Sequence, residues 1–411
     1  MKRLLILISF LLGASIAHAA CSGSSPTRTA ASAANTDVQS CVTAAVNGDT
    51  ILVPAGTVSY GTTAVDIPNS KCLTINGQGG VTITSAYGFT METGTSCESR
   101  VTGFTFNNAG GNPPTTPINA TTTASSFCGR VDHNTFTNSA QSIFLAVSGN
   151  GPFLIDHNTF TGGGASEMIH NLGTGAGNNN GWTDTITPGG PNMVFVEANT
   201  FNNTSTTVIA SGIESFYGAR TVLRYNVYNY VQIDQHGDSG SSVNAGSRWW
   251  EIYNDVFNAL GLNQPSMVVV RSGSGIIANL TTDGTNTHGS NALDLQNDVS
   301  GTWPLAWQPG AGWNSVANGY STCSGSLNNA PAQLWNNPAF TAVAGASVQL
   351  SRDYFVNSTQ PATIHWKENS TDTCSTTYAY APYTYPHPLD TSGGSTVSQP
   401  QTPASLQSTV N

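Results

Sequence analysis

Hydrophobic and polar positions alternate in short runs along the middle of the chain, and the runs recur. The phrase reads "VDHNTF" at 131–136, "IDHNTF" at 155–160, "VEANTF" at 196–201 and "LRYNVY" at 223–228. Continued through "IYNDVF" and "IIANLT", it places Asn134, Asn158, Asn199, Asn226, Asp255 and Asn279 at steps of 24, 41, 27, 29 and 24 residues. A base period of about two dozen residues with insertions marks a solenoid whose turns are single structural units. Alternation with period two, and no recurring helical period, makes those units strands. The pattern therefore predicts an all-β fold, a single parallel β-helix over 50–290 with rungs ~4.8 Å apart.

The phrase is largely masonry. The recurring Asn belongs at a corner between two strands, where it tolerates a left-handed backbone and passes side-chain hydrogen bonds from rung to rung. The aromatic two positions on stacks in the core. His133 and His157 precede the ladder Asn, and their repetition assigns them to the wall, stacked at the turn. The open end of a β-helix would pair with other chains. "TDVQSCVTAAVNG" (36–48) predicts a covering helix with Thr36 as N-cap and Val38, Val42, Ala45 and Val46 on its apolar face. It forms the centre of an N-terminal cap at 20–49. The aromatic- and Pro-rich region 291–390 lacks the repeat and predicts an irregular C-terminal cap folded back over the last rungs. Residues 391–411 read as a flexible tail.

Residues 1–19 combine Lys2 and Arg3, an apolar run and a small-residue end, the pattern of a secretory signal peptide. The expected location is secreted, extracellular or at the cell surface. Removing Lys2 and Arg3 leaves 10 basic against 22 acidic residues, a net of −12. That balance excludes nucleic acid as a partner, and no later apolar run is long enough for membrane insertion. Seven cysteines without close metal-type spacing point to disulfides. The expected pairs are Cys21 with Cys41 and Cys323 with Cys374. Cys72, Cys97 and Cys128 lie about one turn apart, so Cys97 can reach either neighbour.

With its N-terminal helix followed by "GDTILVPAGTVSY" and "KCLTINGQGGVTI", the chain resembles the secreted right-handed parallel β-helix superfamily. That superfamily contains pectate-lyase-like and other polysaccharide-lyase-like proteins, polygalacturonase-like hydrolases and phage tailspikes. The likeness is one of pattern over about 36–290, and the C-terminal region resembles the endings of bacterial members. It implies a right-handed helix and activity on a polysaccharide.

Strand alternation turns the residue two before each ladder Asn outward, giving the column Asp132, Asp156, Glu197, Arg224, Tyr253. Stacked carboxylates repel unless a cation intervenes, and an oxygen-rich column suits Ca²⁺. Asp132, Asp156 and Glu197 are therefore candidate metal ligands; the other reading is a solvated face. In the pectate lyases that the chain resembles, acids on successive turns hold Ca²⁺, though on a different strand. A second constellation occupies the preceding strand of each turn and the loops after it. It holds Glu167, His170, Glu214, Arg220, Asp234, His236, Asp238 and Arg271, beside insertions that would wall a groove. Four of the ten remaining basic residues, Arg220, Arg224, Arg248 and Arg271, fall within 220–271.

This mixture suits carbohydrate chemistry. β-Elimination on a uronic acid needs a cation at the carboxylate and a base for the C5 proton. The expected catalytic set is His170 or His236 as base, Glu214 to position, and Arg220 and Arg271 at the carboxylate. Arg224, Arg248 and Trp249 are expected to bind substrate, although Trp249 can equally pack beneath a loop. Trp250 should point inward. The leading expectation is a protein that binds and cleaves an acidic polysaccharide by β-elimination. The alternatives are a non-catalytic surface, matrix or adhesion protein and a hydrolase using Glu214 and Asp234.

Overall fold

The computed structural model describes residues 20–390, apart from 93–97, 108–115, 123–127, 138–140, 148–151, 164–166, 174–185, 238–245, 263–265, 283–292, 297–307, 311–321, 324–326, 329, 338–341, 345–347 and 367–374. The expected signal peptide and tail lie outside the described residues. So do the loop residue Asp238, Cys97 and the side chains of Cys323 and Cys374, which the expected pairings involve.

A parallel β-helix of about nine turns forms, nearly all β. One turn serves as an example. Gly129–Asp132 runs to a corner at His133 and Asn134, Thr135–Thr137 follows, and Ile143–Val147 completes the circuit. The strands on either side of the corner belong to one 20-stranded sheet, here sheet 1. The third strand of each turn belongs to a 10-stranded sheet, sheet 2. Each strand pairs in parallel with its equivalent one turn away; Val131, for instance, lies beside Val101 and Ile155.

Alternation fills the interior. Val131, Ile155, Val196 and Leu223 are buried in the core, and so is Trp250, while Trp249 joins a separate cluster outside the barrel wall. The aromatic of each phrase stacks on the next: Phe106, Phe136, Phe160, Phe201, Tyr228 and Phe257 follow at centroid spacings of 4.8 to 4.9 Å. That spacing is the rung height, so the strand register itself sets the stack.

The Asn ladder forms with one revision. Asn134 Nδ2 donates to Asn158 Oδ1 (3.1 Å), Asn158 to Asn199 (3.1 Å), Asn199 to Asn226 (3.1 Å) and Asn226 to Asp255 (3.1 Å). The left-handed residue is not the Asn but the one before it. His133, His157, Ala198, Tyr225 and Asn254 have φ between 53° and 59°. A non-glycine residue there costs energy, and the ladder's paired backbone and amide groups hold it in place. Strand register places Ala278 beside Tyr253, so Asn279 occupies the left-handed position and Leu280 the ladder position. The phrase "IIAN" is shifted by one residue from the sequence alignment.

The helix, α1, spans Asn35–Ala44 and follows Ala34, which makes no side-chain cap bond. Thr36 is therefore inside the helix, and Val46 is exposed beyond it. Val38, Cys41 and Val42 bury against the first rungs, and Cys41 is bonded to Cys21. Cys72 is also in a disulfide, whereas Cys128 is a free thiol.

The C-terminal third differs from expectation. Parallel pairing continues beyond residue 290, through Leu293–Leu295, Ala332–Trp335, Ala342–Ala344 and Tyr354–Asn357. Residues 378–390 then run back along the outer face of sheet 1 as a lateral strap. Tyr380 meets Trp335, Tyr383 and His387 meet Phe195, and Leu389 O accepts from Arg130 Nη1. The physical reason is the face itself. Leu154, Phe195, Val222, Trp249 and Ile276 all point outward there and require a cover.

Candidate functional site

Two outward columns carry the ionisable residues singled out by the sequence, and the structure treats them differently. Register confirms that Asp132, Asp156, Glu197, Arg224 and Tyr253 stand on successive rungs of sheet 1. This column is not a solvated face: all five residues are buried, and the strap bonds to Glu197 and Arg224 within it. A neighbouring outward column supplies Arg100 and Arg130, which sequence reasoning passed over. Arg100 makes a bidentate contact with Asp132 (Nε–Oδ1 2.6 Å), and Arg130 does so with Asp156 (2.9 and 2.7 Å). Arg130 also reaches Asp390 of the strap (2.7 Å), while Arg224 binds Glu197 (2.7 Å). The cations between these carboxylates are guanidinium groups.

The electrostatics follow. Burial works to raise Asp132, but hydrogen bonds from Arg100 and His133 and the charge of Arg130 outweigh it and hold the acid at about 2. At Glu197 burial prevails over Arg224, and its pKa rises. His133 and His157 stack with centroids 5.0 Å apart, each Nδ1 lying 2.7 Å from the adjacent Asp. The Asp–His pair of the repeated phrase is thus part of one wall network.

Three residues expected to bind substrate are buried in this region. Arg224 donates to Glu197, the Tyr253 hydroxyl and the carbonyls of Tyr383 and Thr384. Arg248 is fully buried, its N–H bonded to Ala219 O (3.0 Å). Trp249 packs edge-on against Trp366 at 4.7 Å and donates to Glu251 Oε1 (2.8 Å). Of the two readings for Trp249, packing beneath the C-terminal region is the one observed. Arg220 is also buried, at the start of Arg220–Arg224 and in register with Trp249.

Sheet 2 brings the other candidates together. Phe144, His170, Glu214, Asp234, Val269 and Asp294 form one outward column. Phe216 projects two residues beyond Glu214. His236 and Arg271 follow at the same level on later rungs, bound through His236 N–H to Ser215 O (3.0 Å) and Arg271 N–H to Gln235 O (2.9 Å). His170 lies between Phe144 and Phe216 at centroid distances of 5.5 and 4.9 Å, and His236 stacks on Phe216 at 4.3 Å.

At the centre, ligand atoms of Glu167, His170 and Glu214 all lie within 4.8 Å of one another. His170 Nδ1 contacts Glu167 Oε2 at 2.5 Å, and Gln141 donates to the same oxygen (2.9 Å). Burial, followed by the negative charges of Glu167 and Asp234, raises Glu214 to about 8. Burial also opposes ionisation of Glu167, but hydrogen bonds from His170, Glu214 and Gln141 lower its pKa. One carboxyl thus keeps its proton at neutral pH and donates it to the other, which is ionised. One rung on, Asp234 Oδ2 lies 3.4 Å from Arg271 Nη2, and burial raises the pKa of nearby Asp294. Asp294 lies past the last repeat visible in the sequence. The alternation "LDL" at 293–295 was its only local signal.

A second acidic cluster, Asp156, His157 and Asp390, has similar spacing. Either cluster can hold a metal ion by distance. Each includes an imidazole, whereas Ca²⁺ takes oxygen ligands, and the carboxylates of Asp132, Asp156 and Glu197 are engaged by arginine.

No family model matches the chain, and no curated protein matches it. Among solved structures, the PL6 family alginate lyase AlyGC is similar with a TM-score of 0.33 at 12% identity, over 89% of this chain and 58% of that one. An arginine-to-alanine mutant of the same lyase gives a TM-score of 0.39 at 12% identity, over 87% and 57%. The chain therefore spans under three fifths of the length of those structures.

Proposed function

We propose that the outer face of sheet 2 cleaves an acidic polysaccharide by β-elimination, and that the protein acts outside the cell as its signal-like N-terminus implies. The observation carrying this reading is the geometry of Glu167, His170 and Glu214, whose side-chain N and O atoms lie within 4.8 Å of one another on the outer face of sheet 2. Elimination needs three roles, and this face supplies each of them. His170 has its Nδ1 engaged by Glu167, which leaves Nε2 to take the C5 proton of a uronic acid. Glu214, whose pKa is raised to about 8, turns its proton from Glu167 to the O4 leaving group as the C4–O4 bond breaks and the C4–C5 double bond forms. Arg271, 24% exposed in its side chain, neutralises the substrate carboxylate and stabilises the enolate-like intermediate. Phe144 and Phe216 hold the imidazole between them. His236, also expected as a base, flanks the site with Nδ1 3.1 Å from Gly237 O.

Hydrolysis is the second reading, favoured by a protonated Glu214 on the rung next to Asp234. The Asp234 side chain is only 4% exposed and faces Arg271, which suits it to orienting the guanidinium better than to activating water. A panel of pectate, alginate, chondroitin and hyaluronan separates the outcomes. Elimination produces an unsaturated uronide with ultraviolet absorbance. His170→Ala and Glu214→Gln should each lower kcat about 10²–10⁴-fold with little change in KM. New reducing ends without absorbance, abolished by Asp234→Asn, would make it a hydrolase. Binding without cleavage would make it a surface or matrix protein.

A further inference from the structure

Above Arg224 the outward column of sheet 1 changes character. Tyr253, Ala278 and Trp335 follow on successive rungs. Two rungs span ~9.6 Å, so two large aromatic side chains face across a gap whose middle position holds a single methyl group. The Tyr253 hydroxyl accepts from Arg224 Nη1 (3.1 Å), which draws the phenol towards the preceding rung. A cavity of about 120 Å³ opens at this point, between the solenoid and the strap.

Its chemistry is specific. Tyr253 and Trp335 supply aromatic walls, and Tyr380 of the strap meets Trp335 edge-on at 6.1 Å. Asn254 and Asn279, both left-handed corner residues, line it, as does Gln360; Asn279 Oδ1 accepts from Asn336 (2.7 Å) and Gln360 Nε2 donates to Tyr380 O (3.1 Å), so the amide atoms left for a ligand are Asn279 Nδ2, Gln360 Oε1 and the Asn254 amide. Arg224 also borders the cavity, but Glu197, Tyr253 and two strap carbonyls engage its guanidinium. The lining therefore offers aromatic surface and amide donors and acceptors without an uncompensated charge. A planar aromatic ligand would leave the amides unused, and an anion would meet no open cation. A pyranose uses both features, with its C–H faces against the rings and its hydroxyls on the amides.

The geometry points to a second carbohydrate site here, taking one uncharged sugar ring such as the terminal residue of a neutral glycan. It is separate from the sheet 2 face and independent of the reaction proposed there. Calorimetry and saturation-transfer NMR on the whole protein test it, using methyl glycosides of glucose, galactose and mannose beside the matching uronates. Saturable binding of at least one neutral glycoside is expected. Ala278→Leu should abolish it by filling the gap, with the melting temperature recorded to show that the chain still folds. Gln360→Ala should weaken binding about fivefold by removing the Oε1 acceptor, and Gln360→Glu, which keeps an oxygen there but loses the Nε2 bond to Tyr380 O (3.1 Å), separates that loss from a shift of the cavity wall. Absence of saturable binding, preference for uronates, or affinity undiminished in Gln360→Ala would overturn the assignment. Binding that survives Ala278→Leu and falls with Glu214→Gln would place the sugar on sheet 2 and overturn it as well.

Discussion

Sheet 1 and sheet 2 stack carboxyl groups on the same rung spacing and resolve the repulsion in opposite ways. On sheet 1, Arg100, Arg130 and Arg224 enter the column, the carboxylates Asp132 and Asp156 are matched by guanidinium groups, and the strap bonds to Arg130, Glu197 and Arg224. On sheet 2, burial and the charge of Glu167 raise the pKa of Glu214, and the side chains of Glu167, His170 and Arg271 retain contact with solvent. Closely spaced acids must acquire either a cation or a proton. A guanidinium makes a stable wall; a retained proton makes a group that can act.

The largest expected effect tests the closed column. Arg130→Ala leaves Asp156 and Asp390 without their guanidinium partner and should cost about 3–5 kcal/mol, read by denaturant unfolding. A loss well below that would mean the strap and not the arginine sustains the column.

The two columns should also respond oppositely to pH. Asp132 is held at about 2 against an ordinary value of 3.8. Its contribution is therefore present above the ordinary value and lost as pH falls through about 2, a loss of about 2 kcal/mol. His133→Ala should shrink that acid loss by removing one of the hydrogen bonds that depress it. Glu214 has the reverse sign. Its pKa is raised to about 8 from 4.5, so its contribution is present below 4.5 and lost as pH rises through 8. With solvent screening the half-buried group, the loss should be about 1–2 kcal/mol. Unfolding at pH 5 and pH 9 measures it, and Glu214→Gln should flatten the difference. Equal slopes in the two proteins would remove the shared proton from the account.

The smallest effect lies in the ladder. Asp255 ends the run of asparagines fully buried, and burial raises its pKa well above the ordinary carboxyl range. Asp255→Asn retains the acceptor for Asn226 and removes the titration. It should stabilise the protein by about 1 kcal/mol near neutral pH, and a destabilised variant would show that the proton on Asp255 is itself bonded.

Much of the candidate site's composition was legible one residue at a time. The phrase "SEMIHNLG" contains Glu167 and His170, and "SGIESF" contains Glu214, on the strand that precedes the next repeated phrase. Their meeting needed the register, because a parallel sheet joins residues 44 positions apart, as with His170 and Glu214. The shared proton was not legible, since it depends on burial that no local pattern encodes. Arg224, Arg248 and Trp249 showed the limit most plainly. Alternation marked Arg224 and Trp249 as outward, which is correct relative to the solenoid, yet the C-terminal region covers them.

The sequence alone determined what repeats: the rung period, the Asn ladder, the aromatic stack and the inward side of each strand, Trp250 included. These depend on local alternation and on identical neighbours one turn away, so each turn carries its own instructions. Tertiary structure alone decided which outward face is open. A segment more than a hundred residues downstream covers sheet 1, where the contact between Tyr380 and Glu251 spans 129 positions. Solvent exposure is a property of the assembled surface, and it is exposure that separates the paired acids of sheet 1 from the partly open cluster of sheet 2.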